Sequence, residues 1–360
     1  FLDYFVNSIK QQFEIGCYTL VEWDVNPLTG KKLDARTRIQ QLLETIDLAD
    51  QVGLDVFGIG EHHRPDFLSS APLVILGAAA ARSKKIHLST AVTVLSSDDP
   101  VRVFQDFATL DLLSEGRAEI MAGRGAFIES FPLFGYDLND YDSLFVEKLD
   151  LLLKLRRSEF VSWSGRHRST LEQQGIFPRP LQEEIPIWVA VGGTPESASR
   201  AGTLGLPVAL GIIGGMPEKF LPLVELHQSA WKQAGHDPAK WRLSVNSRGF
   251  VGVDSKQAAN DYFPFLKAMM DKLGRERGFR GLTRSEYEAS RGLHGSDYVG
   301  SPDEVIEKIL FQQNILHFDR LLLQMDIGAV THEALMRSIE LLGTKVAPVI
   351  REEMKIRSGE

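Results

Sequence analysis

Residues 187–197 have the sequence IWVAVGGTPES, in which an unbroken apolar run gives way to a glycine pair and then to a proline. A bare apolar run is typical of a strand that is buried on both faces, as in a parallel sheet. Glycines permit a tight turn, and proline suits the first turn of a helix. The stretch therefore predicts one strand–turn–helix unit of a parallel α/β fold.

The same alternation extends in both directions along the chain. Period-2 and apolar runs predict strands at 13–21, 54–60, 86–95, 117–122, 187–191, 207–213, 243–253 and 320–325. Helical periodicity predicts helices at 36–52, 72–82, 100–114, 142–155, 195–203, 217–234, 302–313 and 331–349, with Asp99 and Ser301 as N-caps. Strands and helices that alternate in this way predict a single (β/α)₈ TIM barrel over 1–360, with an open doubly wound sheet as the structural alternative.

Three stretches interrupt the alternation and are interpreted as insertions. Residues 126–141 and 156–185 flank the fourth helix, and the largest insertion, 255–300, separates strand seven from its helix. The largest one has a local excess of basic residues, namely Lys267, Lys272, Arg275, Arg277, Arg280, Arg284 and Arg291. Since its end, 278–300, is rich in glycine, we expect a mobile lid that orders over an anionic ligand. A solvated basic helix without ligand contact is the alternative.

Composition excludes several classes of function. The chain has 360 residues, 43% of them hydrophobic, and a formal net charge of −8, so it lacks the basic footprint of a protein that binds nucleic acid or an anionic membrane. No apolar run approaches the ~20 residues that span a bilayer, and residues 1–9 do not have the pattern of a signal peptide. The single cysteine, Cys17, excludes an internal disulfide and fits a reducing compartment, so a cytoplasmic location is expected.

Unusual polar and glycine residues follow the predicted strands directly. They are Glu61-His62-His63, Ser96-Ser97-Asp98-Asp99, Gly123-Arg124-Gly125, Gly192 to Ser197 and Gly214-Gly215, together with Asn246 and Arg248 on strand seven. In an α/β barrel the carboxyl ends of the strands form the mouth of the active site. The pattern therefore predicts one site at that end of the barrel.

The segment Gly192-Gly193-Thr194-Pro195-Glu196-Ser197 is a candidate phosphate site. Glycines let the backbone approach a ligand, Thr194 and Ser197 offer hydroxyl groups, and the N-terminus of the following helix attracts anions. The pair Gly214-Gly215 on the next strand supports this hypothesis, because late barrel loops often share a phosphate. The alternative is an ordinary strand–helix turn with Thr194 as the N-cap.

His62 and His63 are candidates for proton transfer, because an imidazole titrates near neutral pH. Neighbouring residues of a strand point to opposite faces, so only one of the two is expected to face the barrel mouth. For the same reason they cannot easily share a metal ion, and no helical pair of histidines or carboxylate triad accompanies them. No metal site is predicted.

Several of these motifs together resemble the bacterial-luciferase family of monooxygenases. The resemblance is carried by Glu61-His62-His63, by Thr93-Val94-Leu95 leading into Pro100-Val101-Arg102, by residues 111–117 (DLLSEGR), by Gly123-Arg124-Gly125 and by Gly205-Leu206-Pro207. The motifs occur in order with barrel spacing between them, and the resemblance runs from about Phe13 to Val349.

This resemblance implies a (β/α)₈ barrel that binds reduced FMN, supplied by a separate flavin reductase, and uses O₂ to oxidise a small organic substrate. By position, His62 and His63 match the active-site histidine pair of the family, and Arg124 matches an arginine near the flavin. Gly192, Gly193, Thr194 and Ser197 match the phosphate-binding loop, with Gly214 and Gly215 beside it. Val94 and Ser96 match the end of strand three that lies against the isoalloxazine ring, where several relatives have a non-proline cis peptide.

Two positions depart from the family pattern. Luciferase has a cysteine before its matching arginine, whereas this chain has Gly123, which argues against light emission with a long-chain aldehyde. Arg291 matches only loosely the mobile arginine-bearing segment of the alkanesulfonate monooxygenases. Two other functions remain open, namely a dehydrogenase or reductase that uses a deazaflavin coenzyme, and a flavin-binding paralogue without turnover.

The second and third helices predict a homodimer. Residues 71–81 have no polar side chain, and 100–114 carry more apolar residues than one buried stripe requires. An apolar surface of this kind is usually covered, most often by a two-fold partner, and luciferase-like proteins pair through the same helices. The alternative is that 126–141 folds over them within one chain.

Overall fold

Hydrogen bonds between parallel strands run around a closed ring in the computed structural model, which describes residues 12–125 and 127–358. The strands are β1 (Glu14–Thr19), β2 (Val56–Ile59), β3 (His87–Thr90), β4 (Thr93–Val94), β5 (Ala118–Gly123), β6 (Phe160–Trp163), β7 (Leu171–Gly175), β8 (Ile187–Val191), β9 (Val208–Gly211), β10 (Leu243–Val251), β11 (Tyr298–Gly300) and β12 (Arg320–Gln324). The ring has the order β1-β2-β3-β5-β8-β9-β10-β12, and β12 closes it by pairing with β1. The (β/α)₈ barrel is confirmed, and the open sheet is excluded.

Helices follow the barrel strands and surround the ring. They are α1 (Ala35–Gln51), α2 (Pro72–Ala80), α3 (Pro100–Leu113), α4 (Ser130–Leu133), α5 (Tyr141–Arg157), α6 (Pro195–Thr203), α7 (Leu221–Gln233), α8 (Ser255–Arg277), α9 (Arg284–Arg291), α10 (Pro302–Leu316), α11 (His332–Leu341) and α12 (Ala347–Ser358). The predicted caps are confirmed: the Asp99 carboxylate accepts from Val101 N at 2.8 Å, and Ser301 forms a capping box with Glu304. Such caps satisfy backbone N–H groups that the first turn leaves unpaired.

The apolar core lies between the ring and its helices, and a second apolar layer fills the ring itself. Within the described ranges, no helix is both long enough and apolar enough to cross a membrane. Residues 1–9, which were expected not to form a signal peptide, lie outside the described residues.

Strand three differs from its prediction. Instead of one strand over 86–95, β3 ends at Thr90, a cis peptide bond joins Ala91 to Val92, and β4 begins at Thr93. After this break the strand pairs only with β5, where Val94 lies opposite Gly123. The cis bond lies just before the residues that the resemblance indicated.

The insertions have secondary structure of their own. Residues 156–185 contain the antiparallel hairpin β6–β7, and 126–141 contain the short helix α4. In 255–300, α8 ends at Gly278, whose φ of +76° is the left-handed conformation that favours glycine. The segment continues through α9 to β11, which is buried and extends the sheet beside β10. The mobility of 278–300 stays a prediction.

An ion-pair network fills the amino end of the barrel. The Arg320 side chain is fully buried and donates to both oxygens of Glu119, at 2.6 and 3.0 Å, and to Glu14 at 2.5 Å. Burial alone would raise the pKa of Glu119, but the Arg320 guanidinium overrides that effect and lowers it. The guanidinium also lies 4.2 Å from the centre of the Trp188 ring. Since these residues stand near the starts of their strands, the network stabilises the end of the barrel opposite to the mouth.

We predict that Glu119→Gln destabilises the protein strongly. The substitution removes one of the two carboxylates that pair with the buried Arg320 and leaves only Glu14 to compensate it, a loss of about 3–5 kcal/mol in the free energy of unfolding by analogy with other broken buried pairs. Urea unfolding of both proteins measures it. The matched control is Glu333→Gln, which breaks the exposed Glu333–Arg337 pair and is expected to cost less than about 1 kcal/mol. Equal stabilities of the two variants would contradict the role of the network.

Candidate active site

A cavity of about 410 Å³ lies at the carboxyl ends of the barrel strands, within the size range of small-molecule sites. The residues after β1 and β2 form one wall, the break between β3 and β4 forms another, and α8 covers the top. Many lining side chains are apolar, namely Leu20, Phe67, Val92, Val94, Phe127, Ile213, Met269, Met270, Leu273 and Phe279. The cavity therefore suits an organic ligand that is shielded from water.

His62 is the histidine that faces this cavity. Its ring packs against Phe67, with centroids 4.3 Å apart, and edge-on against Phe127 at 5.1 Å. Burial lowers the pKa of His62 to about 4. The imidazole is therefore neutral at neutral pH, with one nitrogen as donor and the other as acceptor.

His63 points to the opposite side, as expected for neighbouring residues at a strand end. It lines a separate cavity of about 220 Å³ near α2 and α3, where its Nε2 lies 2.9 Å from Glu61 Oε1. The second carboxylate oxygen of Glu61 accepts from the Val94 backbone N–H at 3.0 Å. Glu61 thus connects His63 with the wall of the main cavity, and His63 itself does not reach it.

Arg124 and the predicted phosphate loop lie together. Arg124 Nη2 donates to Thr194 Oγ1 at 2.9 Å, and Nη1 lies 2.5 Å from Asp142. Thr194 occupies the N-cap position of α6, yet its side chain accepts no hydrogen bond from the helix. Thr194 is therefore the N-cap residue by position, as the alternative interpretation has it, but its hydroxyl contacts Arg124 instead of capping the helix.

The glycines of this region border open space. At Gly192, Gly193, Gly214 and Gly215 no atom of the described chain lies within 4 Å of the position that a Cβ would take. A side chain at any of them would enter this open space, which we call the phosphate cleft. Glycine therefore keeps the backbone N–H groups accessible to a ligand. Ser197, by contrast, is buried in the first turn of α6, and its N–H donates to Thr194 O.

Of the two residues that were predicted to lie against the flavin ring, only one lines the cavity. Val94 lines the cavity, whereas Ser96 is buried away from it. The Ser96 carbonyl accepts from Lys148 Nζ at 2.8 Å, and its hydroxyl has no partner among the described residues. A Cβ at Gly123 would lie 2.7 Å from Val92 Cγ2, so Val92 occupies the space that a cysteine would need.

Ion pairs hold α8 over the cavity as a roof. Lys272 Nζ lies 2.6 Å from Asp24 and 2.9 Å from Asp66, and Arg64 Nη2 lies 2.9 Å from Glu276. Burial would raise the pKa of Asp66, but hydrogen bonds from Arg64 and Lys272 lower it to about 2. These pairs attach the insertion to the loops after β1 and β2.

The basic excess of the insertion is largely balanced by acidic neighbours. Further pairs are Lys267–Asp271, Arg280–Glu286, Arg284–Glu288 and Arg291–Glu288. Arg291 also donates to Ser255 and does not line the main cavity, so its assignment to the substrate stays a prediction. Arg277 lines it instead, with its guanidinium 4.7 Å from the centre of the Phe127 ring.

Four further charged residues line the cavity. The sequence predicts Glu61 and Arg248 at the mouth and Arg277 in the basic insertion without an individual role for any of them, and it does not indicate Glu22. For Arg248 a signal existed, because it is a cation in a strand whose residues are all buried. It donates to Asp297 at 2.9 Å and to the Ile213 carbonyl. Among residues 12–125 and 127–358, no group of three or more His, Cys, Asp or Glu side chains could hold a metal ion.

Comparison with known proteins identifies related sequences and structures with the same fold. A family model described as luciferase-like monooxygenase matches residues 14–315. The alkanal monooxygenase alpha chain of the Kryptophanaron alfredi symbiont is 28% identical over 344 residues, which cover 89% of this chain and 96% of that protein.

Solved structures share the barrel over nearly the whole chain. The oxygenating constituent of 3,6-diketocamphane monooxygenase from Pseudomonas putida, in complex with FMN, superposes with a TM-score of 0.75 at 20% identity, covering 94% of this chain and 99% of that one. An F420-dependent secondary alcohol dehydrogenase superposes with a TM-score of 0.74 at 18% identity and the same coverage. At this identity the likeness concerns the fold.

We predict that His62→Gln changes how stability depends on pH. In the folded protein the pKa of His62 is lowered from 6.5 to about 4, so between these values the unfolded chain binds a proton that the folded protein does not. Stability is therefore lost as pH falls below 6.5. Acidification from pH 7 to 5 should cost the wild type about 2 kcal/mol more than the variant in urea unfolding. Identical pH dependence in both would contradict a buried, neutral His62.

Proposed function

Because the chain belongs to the luciferase-like monooxygenase family, we propose that it is a flavin-dependent monooxygenase that uses reduced FMN and O₂ to oxidise a small organic substrate. The observation that carries the proposal is the Arg124–Thr194 pair at the N-terminus of α6, beside glycines that border open space. This group of donors lies next to a largely apolar cavity.

The donors fit the phosphate of FMN. A phosphate prefers a guanidinium, a hydroxyl and accessible backbone N–H groups before a helix N-terminus, and Arg124, Thr194 and the glycine turn at 192–193 that leads into α6 are suited to supply these. Gly125 and Ile213 line the cavity and are neighbours in sequence of Arg124 and Gly214. The cavity and the phosphate cleft are therefore adjacent, as one ligand with an apolar ring and an anionic end requires.

Apolar residues of the cavity fit the flavin ring. Ala91, Val92 and Val94 form one wall, and Glu61 fixes it through the Val94 N–H. Bound reduced FMN supplies the electrons with which O₂ is activated. The protein contributes the shape of the site and the exclusion of water, for which Phe67, Phe127 and the α8 roof are suited.

His62 can handle a proton in this cavity, since a neutral imidazole both accepts and donates. Arg124 keeps its positive charge and can stabilise the anionic end of the cofactor. We propose that a separate flavin reductase supplies reduced FMN, in keeping with the role of reduced flavin as a co-substrate.

The coenzyme F420 is the alternative cofactor, and an F420-dependent alcohol dehydrogenase shares the fold. Its longer and more anionic side chain calls for a more basic mouth, whereas the insertion's cations are largely paired with acids. FMN is therefore the better fit. Anaerobic titration with each reduced cofactor, followed by a screen for substrate-dependent oxygen consumption, tests the function. Tighter binding of F420, or FMN binding without any oxygen consumption, would contradict it.

We predict that Arg124→Met weakens FMN but not riboflavin, because only FMN has the phosphate that the guanidinium would bind. Fluorescence titration should show that the wild type prefers FMN, and that the variant loses about tenfold or more of its FMN affinity. The matched control is Arg166→Met, which removes an exposed arginine paired with Asp140. Equal affinities of the wild type for FMN and riboflavin would refute the phosphate assignment.

We also propose that two copies pair through α2 and α3. Val74 and Ala78 point outward from α2, and Leu112 and Leu113 are exposed at the end of α3. Ala79 and Ala80 are buried within the chain, so they are not the outward positions of the helix. Val74 is 74% exposed in the single chain, and exposed apolar side chains that form a patch are typical of protein–protein interfaces.

Val74→Glu is therefore expected to dissociate the dimer, because it would bury a charge in an apolar interface. Light scattering at low micromolar concentration should give twice the chain mass for the wild type and a single chain mass for the variant. Val253→Glu is the control, because Val253 is equally exposed at 70% but lies near the start of α8. A monomeric wild type would reject the pairing.

A further inference from the structure

Glu22 lies between two cavities. It follows β1, is only 8% exposed, and lines both the main cavity and a second one of about 160 Å³. The walls of the second cavity include several polar and charged side chains, among them Asn26, Lys31, Arg38, Gln41, Asp326 and Thr331. A cavity of this size with several polar groups in its walls can hold water. Glu22 is thus an acidic group shared by the walls of both cavities.

The carboxylate of Glu22 accepts hydrogen bonds but forms no ion pair with a described residue. Its Oε2 accepts from the Gly328 N–H at 2.6 Å, and its Oε1 accepts from Gln324 Nε2 at 3.2 Å. In the described part of the chain, no lysine or arginine forms a salt bridge with it. The nearby Arg38 donates to the Asp326 carboxylate at 2.6 Å and to the Glu22 backbone carbonyl at 3.2 Å, so it neutralises another acid.

The surroundings favour the protonated form. Burial raises the pKa of Glu22 to about 7, and Asp326 and Asp24 add to the increase, while the Gly328 N–H and Arg38 oppose it. Tyr18 of β1 and Tyr262 of α8 also interact with Glu22, and burial raises the pKa of both phenols. They are neutral at neutral pH. Both protonation states of Glu22 are therefore accessible there.

The proposed reaction needs such a group. When reduced FMN enters as an anion, its reaction with O₂ and the substrate consumes one proton to give oxidised FMN, the oxygenated substrate and one molecule of water. The α8 roof covers the main cavity, and apolar side chains beneath it limit the access of water to the reacting groups. A proton must therefore be delivered by a side chain that touches the cavity and can be recharged from elsewhere.

We propose that Glu22 is a further catalytic residue, which donates a proton into the main cavity and regains it from solvent through the second cavity. The role rests on the proposed monooxygenase function. The transfer involves one proton: the carboxyl group loses it to a developing anion in the main cavity, and the resulting carboxylate takes one from water on the other side. His62 remains available as a neutral hydrogen-bonding group.

The first test needs no cofactor. Infrared spectroscopy of the unliganded protein across pH 5.5–9 should show a protonated carboxyl band that disappears near pH 7 and is missing in Glu22→Gln. Glutamine keeps the size and an acceptor oxygen for the Gly328 N–H, so the fold should be retained. Because burial also raises the pKa of Asp98, to about 6, the assignment uses the difference between wild type and variant. Identical titrations of the wild type and Glu22→Gln would overturn the proposal.

The second test measures oxygen consumption with reduced FMN as the probe. Glu22→Gln should lower kcat about 100-fold and change the KM for reduced FMN less than twofold. The wild-type rate should decrease above about pH 7, and the variant should lack this decrease. Glu22→Asp should restore part of the rate, and Glu333→Gln, an exposed carboxylate on α11, should behave as the wild type. A Glu22→Gln variant with the rate and pH profile of the wild type would overturn the role of Glu22.

The two tests separate this proposal from the function on which it rests. A wild type that binds reduced FMN but consumes no oxygen would contradict the monooxygenase function. The infrared titration would then still decide whether Glu22 titrates near neutral pH at the cavity. If the wild type consumes oxygen with substrate and the Glu22→Gln variant is equally active, the role of Glu22 is refuted while the monooxygenase function stands.

Discussion

Closure of the ring between β12 and β1 is the constraint on which the rest of the structure depends. Their parallel pairing, with Glu14 opposite Arg320 and Tyr18 opposite Gln324, brings the carboxyl ends of all barrel strands to one mouth. Residues distant in sequence meet there, so that Arg124 after β5 reaches Thr194 after β8. An open sheet would spread the same loops along an edge. The cavity between the loops of β1, β2 and β5 exists because the ring is closed.

Charge is distributed differently at the two ends of the barrel. At the amino end, Arg320 pairs with both Glu14 and Glu119, and Glu14 also pairs with Arg242, so each of these charges has a partner of opposite sign and the end is closed by ion pairs. At the mouth, ion pairs such as Lys272–Asp66 lie at the rim and fasten the roof, while the cavity beneath is largely apolar. His62 and Glu22 lie at the mouth, where no ion pair with another described residue offsets their burial. Burial lowers the pKa of His62 and raises that of Glu22, and both shifts favour the neutral form. Perturbed groups of this kind are concentrated at functional sites.

Much of this arrangement could be predicted from the sequence. The strand–helix alternation indicated the barrel, and the glycine pair at 192–193 indicated the loop that meets Arg124. The alternation of side chains along a strand predicted that only one of His62 and His63 faces the mouth, but which one depends on the register of the loop. Ser96 and Arg291 were assigned by motif position, and the structure turns both away from the cavity. Glu22 gave no signal, since its environment depends on Gly328 and Asp326, about three hundred residues later in the chain.

The central claim is that one flavin spans the phosphate cleft and the apolar cavity. A crystal structure of the protein soaked with FMN tests it most directly. We expect the phosphate at the N-terminus of α6, within hydrogen-bonding distance of the Thr194 hydroxyl and the Arg124 guanidinium, with the ring in the cavity beside Val94. A phosphate bound elsewhere, or a ring outside the cavity beneath α8, would contradict it.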